Sequence, residues 1–204
     1  MLHIAVAGNI GAGKTTLASR LAKHYAWEVR FESVEDNPYL SDFYSDMIRW
    51  SFHLQIYFLN SRFKQVLEVK QNTKPTIQDR TIYEDAFVFA HNLRESNLMS
   101  ERDFQNYQDV FKAMIQFVKA PDLLIYLRAD LPKLKSQITK RGRDFEKNIP
   151  DEYLLNLNQH YENWIQNHYQ HPLLIVDINE KDLLNQPQEW DNLLAQIDKK
   201  LKSV

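Results

Sequence analysis

Residues 8–16 read Gly8-Asn9-Ile10-Gly11-Ala12-Gly13-Lys14-Thr15-Thr16. The spacing G-x-x-x-x-G-K-[ST] is that of a phosphate loop. The whole chain holds four glycines, and three of them stand in this stretch. Glycine lets successive N–H groups turn inward into an anion nest, and a helix that follows aims its positive end at the same point. In that frame Lys14 reaches the outer phosphates of a nucleotide and Thr15 offers its hydroxyl to Mg²⁺. Residues 8–16 as a whole are the expected nucleotide-binding element. The flanks agree: residues 2–7 are a short apolar run, and Leu17, Ala18 and Leu21 lie on one side of a helical stretch.

Outward from the loop, apolar runs alternate with helical patterns. Strands are expected at 2–7, 28–33, 75–79, 122–127 and 172–177. Helices are expected at 14–26, 39–71, 83–94, 101–118, 131–141, 151–169 and 188–202. Strands separated by helices pair in parallel through right-handed crossovers. The predicted fold is therefore α/β: a P-loop NTPase with a five-stranded parallel sheet, helices on both faces and an arginine-bearing lid. Ser100 and Asp103 predict a helix cap, and Pro121, Pro150, Pro172 and Pro187 fall at element boundaries. Residues 1–204 read as one domain, with the lid at about 139–149.

The 204 residues are 44% hydrophobic and 12% aromatic, enough for a substantial core. The formal net charge of −2 offers no global field for nucleic acid or an anionic membrane. With no cysteine, disulfides, zinc thiolates and a catalytic thiol are excluded. No apolar run approaches a membrane span, and the first residues enter a strand at once, so the expected setting is the cytoplasm. His168 and His171 lack a carboxylate or cysteine partner nearby in sequence and read as surface residues.

Four further groups of residues carry chemistry. Glu32 ends the second strand, where ligands gather in open α/β sheets; it reads as a general base for a hydroxyl acceptor, or as a surface glutamate capping the next turn. Asp79 and Arg80 end the third strand. Asp79 is the expected Mg²⁺-shell carboxylate, and Arg80 bridges the attacking group and the transferred phosphoryl, unless the two are a plain ion pair. Lys140-Arg141-Gly142-Arg143 reads as a cationic clamp hinged on glycine, or as a basic helix terminus answering the macrodipole. At about 100° per residue, Phe52, Ile56, Leu59, Phe63 and Val66 form an apolar stripe. Gln55 and Arg62 fall on one edge of it, joined by Tyr44 if 39–71 is one helix.

Together these residues resemble the deoxyribonucleoside kinase family. The marks are GNIGAGKTT (8–16), FESVEDNPYL (31–40), RWSFHLQIYFLNSR (49–62), DRTIYEDAFVFA (79–90) and KRGRDFEKNIPDEYL (140–154), whose order and spacing run through nearly the whole chain. The resemblance implies ATP as phosphate donor, Mg²⁺ as cofactor, a deoxynucleoside as the small-molecule substrate, and a homodimer. It implies that Glu32 takes the proton of the substrate 5′-hydroxyl and that Arg80 holds that hydroxyl. It assigns the sugar 3′-hydroxyl to Tyr44 and Glu146, and the base edge to Gln55. Arg62 and Asp85 become the charged pair deeper in the base pocket, Phe89 the aromatic stacked on the base, and Arg141 and Arg143 the lid arginines.

Two positions depart from the family pattern. Ser33 stands where proline is common, and Gln137 where the lid often has a further arginine. The Arg62/Asp85 pair offers donors and acceptors suited to cytosine or a purine, and the stretch Glu35–Tyr39 is similar to the bacterial purine-type enzymes, especially the deoxyadenosine kinases. Deoxyadenosine is thus the expected substrate, then deoxyguanosine, with deoxycytidine third. Two rivals remain at this stage. A thymidylate-type monophosphate kinase also has a P-loop and an Asp-Arg pair, but its anionic acceptor has little use for Glu32. A nucleotide-dependent switch has no use for the acceptor-site residues, and the guanine-specificity motif Asn-Lys-x-Asp is missing.

Overall fold

The computed structural model of the protein describes residues 2–31, 37–146, 149–183 and 185–202. Its five strands are β1 (His3–Gly8), β2 (Glu28–Arg30), β3 (Thr76–Asp79), β4 (Leu123–Arg128) and β5 (Leu173–Asp177). They form one parallel sheet in the order β2-β3-β1-β4-β5. The expected five-stranded parallel α/β sheet is therefore what the chain builds. Every residue of β1 is buried, as befits a central strand covered on both faces.

Alternation along the strands sorts the core into two layers. Ile4, Val6, Ile125 and Leu127 face α1 (Lys14–Tyr25) and α9 (Pro187–Leu201) through Leu17, Leu21, Trp190, Leu193 and Ile197. Ala5, Ala7, Leu124 and Tyr126 face the larger layer, which contains Leu54, Leu59, Leu93, Tyr161 and Trp164. Alanine at positions 5 and 7 leaves room for those aromatic rings. That second layer comprises α2 (Leu40–Ser45), α3 (Met47–Gln71), α4 (Ile82–Glu84), a π-helical segment (Asp85–Phe89), α5 (Ala90–Glu95), α6 (Glu101–Ile115) and α8 (Asp151–Asn167). Helix α7 (Leu131–Arg141) leads into a 3₁₀ turn (Asp144–Glu146).

The helix expected over 39–71 is two helices. Asp46 leaves the helical region at φ −149°, and its side chain accepts the N–H of Arg49 at 3.0 Å. An aspartate that satisfies an orphan N–H starts a helix rather than continuing one. The buried side of α3 also differs from the expected stripe. It carries Leu54, Gln55, Phe58, Leu59, Arg62, Val66 and Val69, whereas Phe52, Ile56 and Phe63 are only half-buried. Gln55 and Arg62 thus sit within the buried face and not on its border. The caps read from sequence are present: Ser100 accepts the Asp103 N–H at 3.1 Å, and Pro187 opens α9. His168 and His171 are exposed.

Candidate active site

The register of β1 against its neighbours builds the site. Val6 pairs with Asp79 on one side and Ile125 on the other, so the phosphate loop after β1 emerges beside Asp79 and Arg80. Gly11 has φ +84°, and a Cβ there would lie 2.8 Å from both Ile138 Cγ1 and the Leu134 carbonyl oxygen. Only glycine fits so close to α7. Gly13, also left-handed, caps the N-terminus of α1, which directs that helix end into the loop.

The loop residues divide their work. Lys14 is buried and its ammonium donates to the Asn9 carbonyl at 3.0 Å. Asn9 does not face the cleft: its amide donates to Leu154 O at 2.9 Å and to Asn158 Oδ1 at 2.7 Å, and its Oδ1 accepts the Ile10 N–H. It ties the loop to α8. Ala12 packs into the core beneath α1. Ile10, Gly11, Gly13, Lys14, Thr15 and Thr16 line the cleft.

Thr15 donates its hydroxyl to Asp79 Oδ2 at 2.5 Å, and the buried Asp79 Oδ1 has no hydrogen-bond partner. An orphaned carboxylate oxygen beside a hydroxyl fits a hard cation. Among the described residues no cluster of three or more His, Asp or Glu side chains could cage a metal. One carboxylate and one hydroxyl suit Mg²⁺, which keeps several waters and takes further ligands from substrate phosphates.

A single cleft of about 780 Å³ runs from this loop to an aromatic-walled pocket. Gln55, Asp85 and Phe89 line it, with Leu54 and Phe58. Gln55 is 3% exposed and its Oε1 accepts no hydrogen bond from the protein, which leaves it open to a bound molecule or to water. Arg62 does not line the cleft; it lies behind Asp85 and ion-pairs with it, both side chains about 2% exposed. Beside this pair the Tyr107 phenol is wholly buried, which holds its pKa well above the ordinary value. Asp85 and Phe89 bracket the π-helical segment, closed by the Ala90 N–H to the Asp85 carbonyl. The helix expected over 83–94 is thus interrupted by a π turn, and both residues reach the cleft.

Tyr44 lines the cleft from α2 although that helix is separate from α3, and its ring stacks on Phe145 at 5.7 Å. Arg141 bonds Glu146 Oε2 through Nε at 2.9 Å and Nη2 at 2.5 Å, and Arg143 lies 3.5 Å from Oε1. All three line the cleft, together with Lys140 and Gln137. Gly142 ends α7 in the left-handed region, its N–H bonding the Ile138 carbonyl at 3.1 Å; the glycine is first a helix stop. Arg80 has φ +72°, and its guanidinium lies 4.3 Å from the centre of the Phe89 ring. Glu32, the expected base, lies outside the described residues, as do Ser33 and Val34.

Several lining residues were not read from the sequence. Phe31 stands at the rim, 43% exposed. Tyr153 lines the cleft from α8, and burial pushes its phenol up to about 12, so it stays protonated. Neither carries a local signal beyond being aromatic. Glu84 was also missed, although Thr81-x-x-Glu84 spells a capping box, and the box is present in full.

A phosphate loop that shares one cleft with aromatic and polar side chains from the covering helices is the arrangement of a P-loop phosphotransferase. Comparison with known proteins makes this specific. Residues 4–202 match the family model described as deoxynucleoside kinase. A deoxyadenosine/deoxycytidine kinase of Bacillus subtilis is 41% identical over 196 residues, covering 95% of this chain and 90% of that one. A deoxyadenosine kinase of Lactobacillus acidophilus is 35% identical, covering 98% and 97%. A solved structure of deoxyadenosine kinase from M. mycoides with bound dATP superposes with a TM-score of 0.84 at 35% identity, over 96% of this chain and 100% of that one. The chain belongs to the deoxynucleoside kinase family, and it is an enzyme of phosphoryl transfer.

Proposed function

We propose that the protein transfers the γ-phosphoryl group of ATP to the 5′-hydroxyl of deoxyadenosine, with deoxyguanosine and deoxycytidine as further acceptors. The observation that carries this reading is the continuous cleft, lined both by the phosphate loop and by Gln55 and Asp85. The partnerless Gln55 Oε1 matches an exocyclic amino group, which adenine and cytosine have and thymine lacks. The relatives named above carry deoxyadenosine in their names, one of them with deoxycytidine beside it.

In the proposed reaction Glu32 takes the proton of the 5′-hydroxyl as that oxygen bonds the γ-phosphorus and the bond to the β–γ bridging oxygen breaks. Arg80 holds the attacking oxygen, and Lys14 neutralises the outer phosphates. Arg141 and Arg143 then close on the transferred group, as a lid at about 139–149 of a single domain. Thr15 and Asp79 hold Mg²⁺, which when bound offsets charge on the phosphate oxygens. Tyr44 and Glu146 hold the sugar 3′-hydroxyl, Phe89 packs on the base, and Arg62 fixes Asp85 at its edge. Such chemistry rests on positioning and electrostatics more than on covalent help.

The physiological form under this reading is a cytoplasmic homodimer. No described helix is long and apolar enough to cross a membrane. Half-buried Phe52, Ile56 and Phe63 on α3 offer the apolar area for self-association.

Glu32→Gln tests the mechanism. It should lower kcat by at least about 100-fold, the contribution typical of a general base, while ATP still binds in a fluorescence titration. A near-normal kcat removes Glu32 from this role.

A further inference from the structure

Glu84 and Tyr161 are buried polar residues that do not line the cleft, yet they bond to both of its working ends. Glu84 is wholly buried. Its Oε1 accepts the Gly8 N–H at 3.3 Å and the Tyr161 hydroxyl at 2.7 Å. Its Oε2 accepts the N–H and hydroxyl of Thr81 at 2.7 and 3.2 Å. The Tyr161 hydroxyl also lies 2.8 Å from the Gly8 carbonyl, and its oxygen accepts an Arg80 Nη1–H at 3.3 Å. Three segments meet here: Gly8 at the end of β1, the Arg80-Thr81 turn after β3, and α8.

Helix capping does not account for this cluster. A capping box needs a glutamate that reaches back to the Thr81 N–H. It does not need the other carboxylate oxygen buried against a phosphate-loop N–H and a phenol from 77 residues away. Burying a carboxylate is costly unless its lone pairs are taken up, and here four donors supply them. Arg80 explains why such a structure is present. A non-glycine residue in the left-handed region persists only where its surroundings over-determine it. The Arg80 N–H bonds the Val6 carbonyl at 2.9 Å; Glu84 fixes the Thr81 backbone that follows; Phe89 and Tyr161 fix the guanidinium.

We infer that Glu84 and Tyr161 form a positioning pair that sets the Arg80 guanidinium, at the acceptor hydroxyl, in register with the phosphate loop, at the donor. Neither residue touches substrate. The inference rests on the role of Arg80 proposed above. Burial holds the Tyr161 phenol protonated, so it remains a donor throughout the working pH range. The register matters because a displacement of about 1 Å between reacting groups can cost about 100-fold in rate.

Tyr161→Phe removes one oxygen and keeps the ring stacked on Tyr126, 5.6 Å away. The expected result is a kcat lower by about 10- to 100-fold, with the KM values for nucleoside and ATP and nucleotide binding close to those of the parent enzyme, and a Tm lowered by the donor that the buried carboxylate loses. Glu84→Gln preserves volume and should give the same kcat-selective loss, which keeps the inference testable if one variant folds poorly. In an Arg80→Lys background the Tyr161→Phe loss should vanish, because a residue acting through Arg80 has nothing left to act on. An unchanged kcat in both single variants, a loss that tracks the folded fraction, or full additivity with Arg80→Lys would each overturn the pair. Full kcat in Arg80→Lys alone would overturn the role of Arg80 itself, and the pair's purpose with it.

Discussion

Gly11 is the residue at which fold and chemistry constrain each other most tightly. Its missing side chain lets α7, which leads to Arg141, pack directly on the phosphate loop. Gly11→Ala should therefore weaken nucleotide binding and destabilise the protein by about 1–3 kcal/mol, read by nucleotide titration and denaturant unfolding. Also in the cleft lining, Asp85→Ala removes a counter-charge from a buried guanidinium. The expected loss is roughly 3 kcal/mol of stability, with a raised KM for deoxyadenosine and an unchanged KM for ATP. The sequence made these two positions unequally legible. The glycine belongs to a local pattern, whereas the depth of Arg62 behind Asp85 depends on a contact 23 residues apart and on which face of α3 is buried. Asn9 was legible as a loop residue, but its side-chain work on α8 spans 149 residues.

The elements were readable where punctuation is local. Strand-loop-helix around residues 2–26, the Ser100 cap and the proline boundaries all follow from neighbours in sequence. The break at Asp46 was also written locally, as a cap aspartate, but the apolar content on both sides favoured one long helix. The π turn over Asp85–Phe89 left no such mark; π turns concentrate at functional sites, and this one spans two cleft residues. The break has a consequence, because Tyr44 and Gln55 reach the cleft from different helices joined at Asp46. Asp46→Ala and Ser100→Ala should each cost about 1 kcal/mol in unfolding free energy. Only Asp46→Ala should raise the KM for the nucleoside, since α6 contributes no cleft residue.

At the scale of the molecule, the parallel sheet gathers residues from its strand ends and covering helices into one cleft, and that convergence is what the fold contributes to function. Stability has its own whole-molecule signature. Burial lowers the pKa values of His3, His91 and His160 below the ordinary 6.5. Above that pH both folded and unfolded chains hold these rings neutral, so the shift costs nothing. Below it the unfolded chain takes up protons that the folded chain resists, and stability must fall. Chemical denaturation at pH 7 and at pH 5.5 should show the lower midpoint in acid, and His3→Gln should reduce the difference.

Under the proposed function the cleft accepts a deoxynucleoside beside the phosphate loop. Initial rates with Mg-ATP against deoxyadenosine, deoxyguanosine, deoxycytidine, thymidine, adenosine and dAMP, with products separated chromatographically, test it most directly. Deoxyadenosine should yield its 5′-monophosphate at the highest kcat/KM, with thymidine the poorest of the four deoxynucleosides. Turnover of dAMP with no turnover of any nucleoside would contradict it.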